Sequence, residues 1–397
     1  MATERHSGSK RIVVVGGGIA GLAAAHRLQE RREQEGLPCE VHVLEAAARP
    51  GGAVSTTHRD GFLLESGPDT IFTDKPWGLD LIRRLGLGEQ IIGTSEAHRR
   101  TFVARGGALH PLPEGFALLG PTRPWPFLQS GLLSWRGKAR AALDLVLPRG
   151  RPCDDESLAS FVRRRFGQEF LDRLAQPMIG GIYGADPERL SLRATFPQFL
   201  QMEATHRSVI LGLRRMRPAG RGAGHTSSGP RYGLFVTLDN GLQDLVDALV
   251  KRLQAGTLQL GTAVDGIAHT EQGWVIRLGN GTSLQADGLI LAIPAFEVAR
   301  LTRNLDRDPT RQLEVIPYAS SVTINLAYHR NVIGHPLDGF GFVVPACEGR
   351  TIIACSFSSV KFTHRAPAGY VLLRAFAGGA LQPEPFTWDD ERLLSAV

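Results

Sequence analysis

The sequence predicts an α/β protein: a parallel-sheet domain, a helical domain inserted into it, and an antiparallel-sheet domain after it. Three observations carry that prediction. A β-branched run, a glycine turn, a helix former, a second apolar run and an acid follow one another from Arg11 to Glu45. Helical spacing and arginine dominate from Trp77 to about Leu213, and strand pattern returns near the C-terminal half of the chain. The 397 residues allow two or three domains, and 43% hydrophobic with 21% charged residues is the composition of an ordinary globular protein. No run approaches the ~18 apolar residues of a membrane-spanning helix.

The opening Met1 to Lys10 is polar and lacks the apolar core of a secretory signal, which points to the cytoplasm. Cys39, Cys153, Cys347 and Cys355 have neither CxxC nor metal-ligand spacing, and read as reduced thiols. The net charge of +6 would suit a nucleic acid, an anionic membrane surface or an acidic small molecule, and composition alone does not choose. Only five of the 45 basic residues are lysine. Arginine suits bidentate capture of carboxylates, although genome-wide base composition produces the same bias.

Arg11-Ile-Val-Val-Val15 reads as a buried parallel strand. Gly16-Gly-Gly18-Ile-Ala-Gly21 follows at once, then a helix from Leu22 and a strand Val41-His-Val-Leu44 ending at Glu45. This is the dinucleotide-binding βαβ pattern. Gly16 allows the tight turn, Gly18 lets backbone approach a pyrophosphate, and Gly21 lets the helix pack close to the strand. Glu45, twenty-four residues after Gly21, is placed to accept hydrogen bonds from a ribose. Beyond it, Arg49-Pro-Gly51-Gly52 is an element that NAD sites do not require; in flavoproteins such a basic residue and glycine pair bring further backbone and charge to the pyrophosphate of FAD. Asp60-Gly-Phe-Leu-Leu-Glu-Ser-Gly67-Pro68-Asp69 then reads as a short strand and a Gly-Pro turn suited to lie against a flat ring.

Leu79, Ile82 and Leu85 recur at helical spacing, and Leu158 to Leu174 outline an amphipathic stretch capped by Asp154 or Asp155. Arg163-Arg-Arg165 on that stretch reads as a solvated face. Residues 216–232, rich in Arg, Gly, Ser and Pro, read as a mobile loop. Asn240 to Leu253 reads as a helix, followed by strands at 258–264, 274–278 and 288–293. Their order suggests a return to the first domain, and further strands near 322–328, 341–344, 351–357 and 370–376 form a separate antiparallel sheet. There is no repeat, zinc spacing, nucleophile elbow or phosphate loop of the GxxxxGKS kind.

The order of these segments resembles the FAD-dependent protoporphyrinogen/coproporphyrinogen oxidase family, within the amine-oxidase-like flavoproteins. The glycine turn, Glu45 and Arg49-x-Gly51-Gly52 carry the general part. The specific part is Gly61-Phe-Leu-Leu-Glu65-x-Gly67-Pro68-Asp69, Gly107-Ala-Leu-His-Pro-Leu-Pro113, Asp155-Glu-Ser-Leu-Ala-Ser-Phe-Val162 and Pro177-Met-Ile-Gly-Gly-Ile-Tyr-Gly-Ala-Asp186. The chain departs from the pattern at Ala53, where many relatives carry a basic residue. The family's final glycine-rich segment is also absent, so the chain is expected to be a fragment that lacks part of its flavin site.

The resemblance implies a Rossmann-like FAD-binding domain in two parts, 10–76 and 233–296. It also implies a helical substrate- or membrane-facing domain at 77–215, the loop at 216–232, and a substrate-binding sheet domain at 297–397. FAD is the implied cofactor, held by Gly16, Gly18, Gly21, Glu45, Arg49, Gly51, Gly52, Gly67, Pro68, Asp69 and Val264. The implied reaction is the six-electron oxidation of a porphyrinogen in haem biosynthesis, with molecular oxygen as acceptor and no nucleic acid as partner. A peripheral membrane contact and a homodimer stay open, as does the choice between protoporphyrinogen and coproporphyrinogen. Arg100, with Arg99 as the alternative in register, matches the propionate-binding arginine, and Gly180, Gly181 and Tyr183 match residues near the ring. No general acid or base and no metal ligand are assigned, because the pyrrole nitrogens of the substrate stabilise the cation left by hydride loss. Another flavin amine oxidase or desaturase, and a flavin-binding fragment without turnover, are the competing readings.

Overall fold

The computed structural model describes residues 9–73, 75–98, 100–117, 120–150, 154–215 and 235–397. The loop expected at 216–232 lies outside them, as do Arg99 and Cys153. The chain divides into two compact units, Met1–Ile92 with Val236–Pro317, and Gly93–Phe235 with Tyr318–Val397.

The first unit is built on β1, Lys10–Val15, the helix α1, Ile19–Glu35, and β2, Cys39–Leu44. Val13 and Val14 are fully buried, as a strand covered on both faces requires. β1 pairs in parallel with β2, Val15 opposite Leu44, and on its other side with Gly288–Leu291. Leu258–Gln259 adds to the far edge of β2. The late segment therefore does return to the first sheet. The α1 helix stops at Gly36, whose left-handed φ of 66° ends it without a Cβ penalty. Its Leu22 packs with Leu81, Ile82 and Leu85 and with Leu242, Leu245, Val246 and Leu249 of the helix Gln243–Arg252 and its approach. That shared core puts residues 77–92 in the first unit, whereas the sequence pattern groups them with the helical domain.

The strand expected over 258–264 is two strands. Leu258–Gln259 leaves the parallel sheet, the chain turns through Gly261 (φ 63°), and Val264–Thr270 opens a three-stranded antiparallel sheet with Gly273–Leu278 and Ser283–Ala286.

The second unit holds a six-stranded sheet in the order Ser321–His329, Tyr370–Gly378, Ile352–Phe357, Gly341–Val343, Thr101–Arg105 and Ala108–Pro111. All pairs are antiparallel except Gly341–Val343 with Thr101–Arg105, which run parallel. The C-terminal sheet is thus completed by two strands from far earlier in the chain. Against it lies a helical core that includes Phe161, Phe166, Phe170, Leu174 and Ile179, with Phe166 and Phe170 stacked at 4.7 Å.

Two local expectations are corrected. The helix Leu158–Phe166 is capped by Ser157, whose hydroxyl accepts from Ser160 N, and by neither Asp154 nor Asp155. Arg163-Arg-Arg165 is not one solvated face: Arg165 is 1% exposed. Arg165 stands four residues after Phe161 and three after Val162, so helical geometry turns it onto the buried side. Its guanidinium donates to Asp144 Oδ1 (2.6 Å) and to the carbonyls of Asp144, Pro148 and Arg207. Asp144, fully buried, also accepts from Ser208 Oγ (2.6 Å) and Ile210 N (2.9 Å). Arg164 pairs with Glu156 and Glu203, and Glu203 accepts from Gly150 N as well.

Burial pushes the Glu203 carboxyl up; the hydrogen bonds from Arg164 and Gly150 and the charges of Arg164 and Arg165 outweigh it and hold the group below its ordinary range. Folding therefore favours the ionised form. This share of stability is complete above pH 4.5 and is lost as pH falls below it. Removing the partner of a buried charge is costly, so Asp144→Ala should lower the unfolding free energy in urea by about 3–5 kcal/mol. A surface-like change of about 0.5 kcal/mol would show that Arg165 does not depend on Asp144.

Candidate functional site

The glycine turn is shaped by approaches too close for side chains. Gly16 sits at φ 106°, and a Cβ there would lie 2.5 Å from the carbonyl oxygen of Ala292. A Cβ on Gly21 would lie 1.8 Å from the carbonyl oxygen of Gly16, so the first turn of α1 meets the end of β1 backbone against backbone. Gly18 is the N-cap of α1, offers no side-chain cap, and no acid stands in the first turn. The first N–H groups of a 17-residue helix thus have no capping side chain, and the positive end of its dipole faces outward.

Glu45 ends β2 beside this turn. Its Oε2 accepts from Gly17 N at 2.6 Å and its Oε1 from Ala47 N at 2.8 Å. Its backbone is held from the other side by Gln259 and Thr262. The second glycine pair closes the arrangement: Gly51 N donates to Gly17 O (2.8 Å), and a Cβ on Gly52 would lie 3.2 Å from Gly18 Cα. The two glycine turns therefore meet backbone to backbone at the start of α1, with no side chain between them. Arg49 does not reach outward from this loop. Its guanidinium donates to the carbonyls of Gly52 (2.6 Å), Val54 (3.1 Å) and Pro50 (3.3 Å), so it shapes the glycine turn and leaves a positive charge beside it.

Gly67 is required where it stands, since a Cβ would lie 1.8 Å from Ala53 O; this packs the Gly67-Pro68-Asp69 turn against the Gly51–Val54 loop. Val264 is buried with Val13, Val15 and Leu44, behind the strands that carry the site. One positioning residue was not singled out from sequence. Glu65, 4% exposed, accepts from Leu242 N (2.9 Å) and Thr56 Oγ1 (2.8 Å), while Thr56 Oγ1 accepts from Gln243 N. These two side chains cap the helix Gln243–Arg252. The available signal was an acid closing the apolar strand Phe62–Glu65.

The uncapped N–H groups and the side-chain-free backbone around them fit a pyrophosphate. A carboxylate has about four acceptor sites, so Glu45 keeps capacity for ribose hydroxyls beyond its two backbone partners.

In the second unit, Gly180, Gly181 and Tyr183 lie on one helix, Gln176–Tyr183. Gly180 and Gly181 line a cleft with Val344, Ile352 and Gly379. Tyr183 does not line it, and meets Phe196 edge to face at 5.7 Å. Arg100 is not brought to this cleft. Gly181 lies beside Val343, which pairs with Val103, and Arg100 is three residues, about 10 Å of strand, further back. Its guanidinium pairs with Asp338 at 2.9 Å.

Residues 19–397 match the family described as flavin containing amine oxidoreductase. The chain belongs to that family. The chain is 37% identical to coproporphyrinogen III oxidase of Bacillus subtilis, over 98% of this chain and 82% of that protein. It is 38% identical to the enzyme of the same name from Propionibacterium freudenreichii, over 97% and 76%. With protoporphyrinogen oxidase of Bos taurus it shares 34%, over 89% and 74%. A crystal structure from Exiguobacterium, described as a protoporphyrinogen oxidase, superposes with a TM-score of 0.85 at 31% identity, over 98% of this chain and 81% of that one. Putrescine oxidase, at 18% identity and TM-score 0.65, shares the fold. No helix among the described residues is long and apolar enough to cross a membrane.

The Cβ geometry separates binding from stability. Gly18 has extended backbone and a Cβ would meet nothing closer than 3.9 Å, so Gly18→Ala should change stability by no more than about 1 kcal/mol while setting a methyl group at the bare helix start and weakening flavin retention. Gly21→Ala should lower the melting temperature outright. Thermal melts alongside bound-flavin absorbance check both, and a Gly18→Ala protein with full flavin content would contradict the assignment of the helix start.

Proposed function

We propose that the chain is an FAD-dependent porphyrinogen oxidase that removes six electrons and six protons from the macrocycle and passes them, two at a time, to molecular oxygen. The observation that carries this reading is the uncapped start of α1, where the backbones of Gly18 and Gly52 meet without side chains and Glu45 stands alongside. In this reading the N–H groups of α1 and the Gly51–Gly52 turn hold the pyrophosphate, and Glu45 holds the adenosine ribose. Gly67-Pro68-Asp69 lies along the nucleotide. Bound FAD would supply the hydride acceptor.

The substrate needs little acid–base help, because a methylene between two pyrroles leaves a cation that the pyrrole nitrogens stabilise. The protein's task is to hold the macrocycle and to exclude water, so positioning dominates and no side chain is assigned as general base. Coproporphyrinogen III stands first among substrates. Support comes from the 37% and 38% identity to two bacterial enzymes of that name, against 34% to the bovine protoporphyrinogen oxidase.

The test is anaerobic mixing of the flavin-loaded protein with coproporphyrinogen III, protoporphyrinogen IX or an amine. A porphyrinogen should bleach the oxidised-flavin absorbance, with porphyrin fluorescence appearing after air is admitted. Bleaching by the amine and by neither porphyrinogen would assign the chain to another branch of the family. Glu45→Ala should weaken FAD binding by about 1.5–3 kcal/mol through loss of a charged acceptor. NAD binding in place of flavin by the unaltered protein would overturn the cofactor reading.

A further inference from the structure

The cleft in the second unit has an electrostatic character of its own. The helix Gln176–Tyr183 ends at Gly184 in a left-handed turn, and Ala380 N donates to Gly184 O at 2.7 Å. A Cβ on Gly379 would lie 3.1 Å from that same oxygen, so the helix end and the end of strand Tyr370–Gly378 meet through backbone. Beside this junction opens a cleft lined by Val344, Ile352, Ile353 and Leu381 along with the two glycines of the helix. Its walls are mostly glycine, proline and aliphatic, with Gln176 and Gln382 among them. No acidic residue lines it, and one cation does, Arg350.

Arg350 is held at its backbone and free at its tip. Gln382 Nε2 donates to Arg350 O at 3.0 Å, while the guanidinium has no ion pair or hydrogen bond among the described residues. The neighbouring arginines are committed. Arg173 lies between Glu169 and Glu348, Arg163 pairs with Glu188, and Arg100 pairs with Asp338. A second donor faces the same space: Gln176 uses Oε1 to accept from Ala346 N, and its Nε2 lies 3.2 Å from where a Gly180 Cβ would be.

A cleft with apolar walls, an unpaired guanidinium and an amide N–H₂ selects a ligand with a flat or aliphatic edge that ends in a carboxylate. The geometry points to Arg350, not Arg100, as the residue that binds a propionate of the substrate, with the pyrrole that bears it lying over Gly180 and Gly181. This rests on the porphyrinogen reading and deepens it. At Arg100, by contrast, a propionate would have to displace Asp338 from its ion pair.

The test compares coproporphyrin III, the stable oxidised product, with its tetramethyl ester, which keeps the ring and loses the charges. Binding to the flavin-loaded protein is followed by quenching of porphyrin fluorescence, for the unaltered chain and for Arg350→Ala, Arg350→Lys and Arg100→Ala. Arg350→Ala should weaken binding of the free acid about tenfold and leave the ester unchanged, with partial recovery in Arg350→Lys. In steady-state assays with coproporphyrinogen III the same variant should raise KM while kcat stays near the unaltered value. Because Arg350 is exposed and makes no side-chain contact that folding needs, Arg350→Ala should melt with the unaltered protein. Unchanged acid binding in Arg350→Ala overturns the proposal, and loss in Arg100→Ala instead assigns the anchor to Arg100. Equal loss of acid and ester also overturns it, as damage to the cleft rather than loss of a carboxylate contact. If the unaltered chain binds neither porphyrin and no porphyrinogen reduces its flavin, the porphyrinogen reading itself fails.

Discussion

The geometry of the first unit rests on one approach, the first turn of α1 against the carbonyl of Gly16, where only hydrogen fits at position 21. That contact brings the positive end of the helix to the carboxyl edge of β1 and β2, the edge at which ligands bind in open parallel sheets. Everything polar in the site is arranged around it. Gly17 gives its N–H to Glu45 and its carbonyl to Gly51, so the turn, the acid and the second glycine pair are one hydrogen-bonded assembly. Arg49 ties the far side of that assembly to itself through three carbonyls. A side chain at Gly16, Gly21 or Gly67 would push one of these backbones away from another.

The second unit uses arginine in two ways that composition cannot distinguish. Arg165 and Arg164 are interior members of a network with Asp144, Glu156 and Glu203, in which each charge has a partner and the backbone carbonyls complete the guanidinium. Such a network fixes how the segment Leu143–Leu145 meets the helices Leu158–Phe166 and Pro197–His206. Arg350 is the opposite case, a cation at the rim of an apolar cleft with no acid among the lining residues. The paired arginines add nothing to the +6 net charge, and the chemically informative cations are those the fold leaves unpaired.

How legible each feature was depends on whether its cause is local. The β1–α1–β2 order could be read directly, because the β-branched run, the glycine spacing and the acid each impose their geometry within a few residues. The four C-terminal strands were legible for the same reason, as short apolar and β-branched runs. Thr101–Arg105 and Ala108–Pro111 form a local hairpin across Gly106-Gly107, but the hairpin joins this sheet through the non-local pairing of Thr101–Arg105 with Gly341–Val343, which nothing in its own sequence announces. The turn at Gly261 that divides the expected 258–264 strand is set by hydrogen bonds from Gly261 and Thr262 to the Ala47 and Glu45 carbonyls, again a distant cause. Arg165 was misread because three consecutive charges look solvated until each is placed on its helical face. Glu65 was visible as a motif residue, but its task, capping a helix some 180 residues later, belongs to the tertiary structure.

On the proposed reading, the N–H groups at the start of α1 and Glu45 recognise a pyrophosphate joined to a ribose. Calorimetric titration of the flavin-free protein with FAD, ADP and riboflavin tests it most directly. The account predicts that FAD binds, that ADP binds and competes with it, and that riboflavin alone binds far more weakly than either. Riboflavin binding as tightly as FAD, with ADP unable to compete, would place the recognition on the ring and contradict the account.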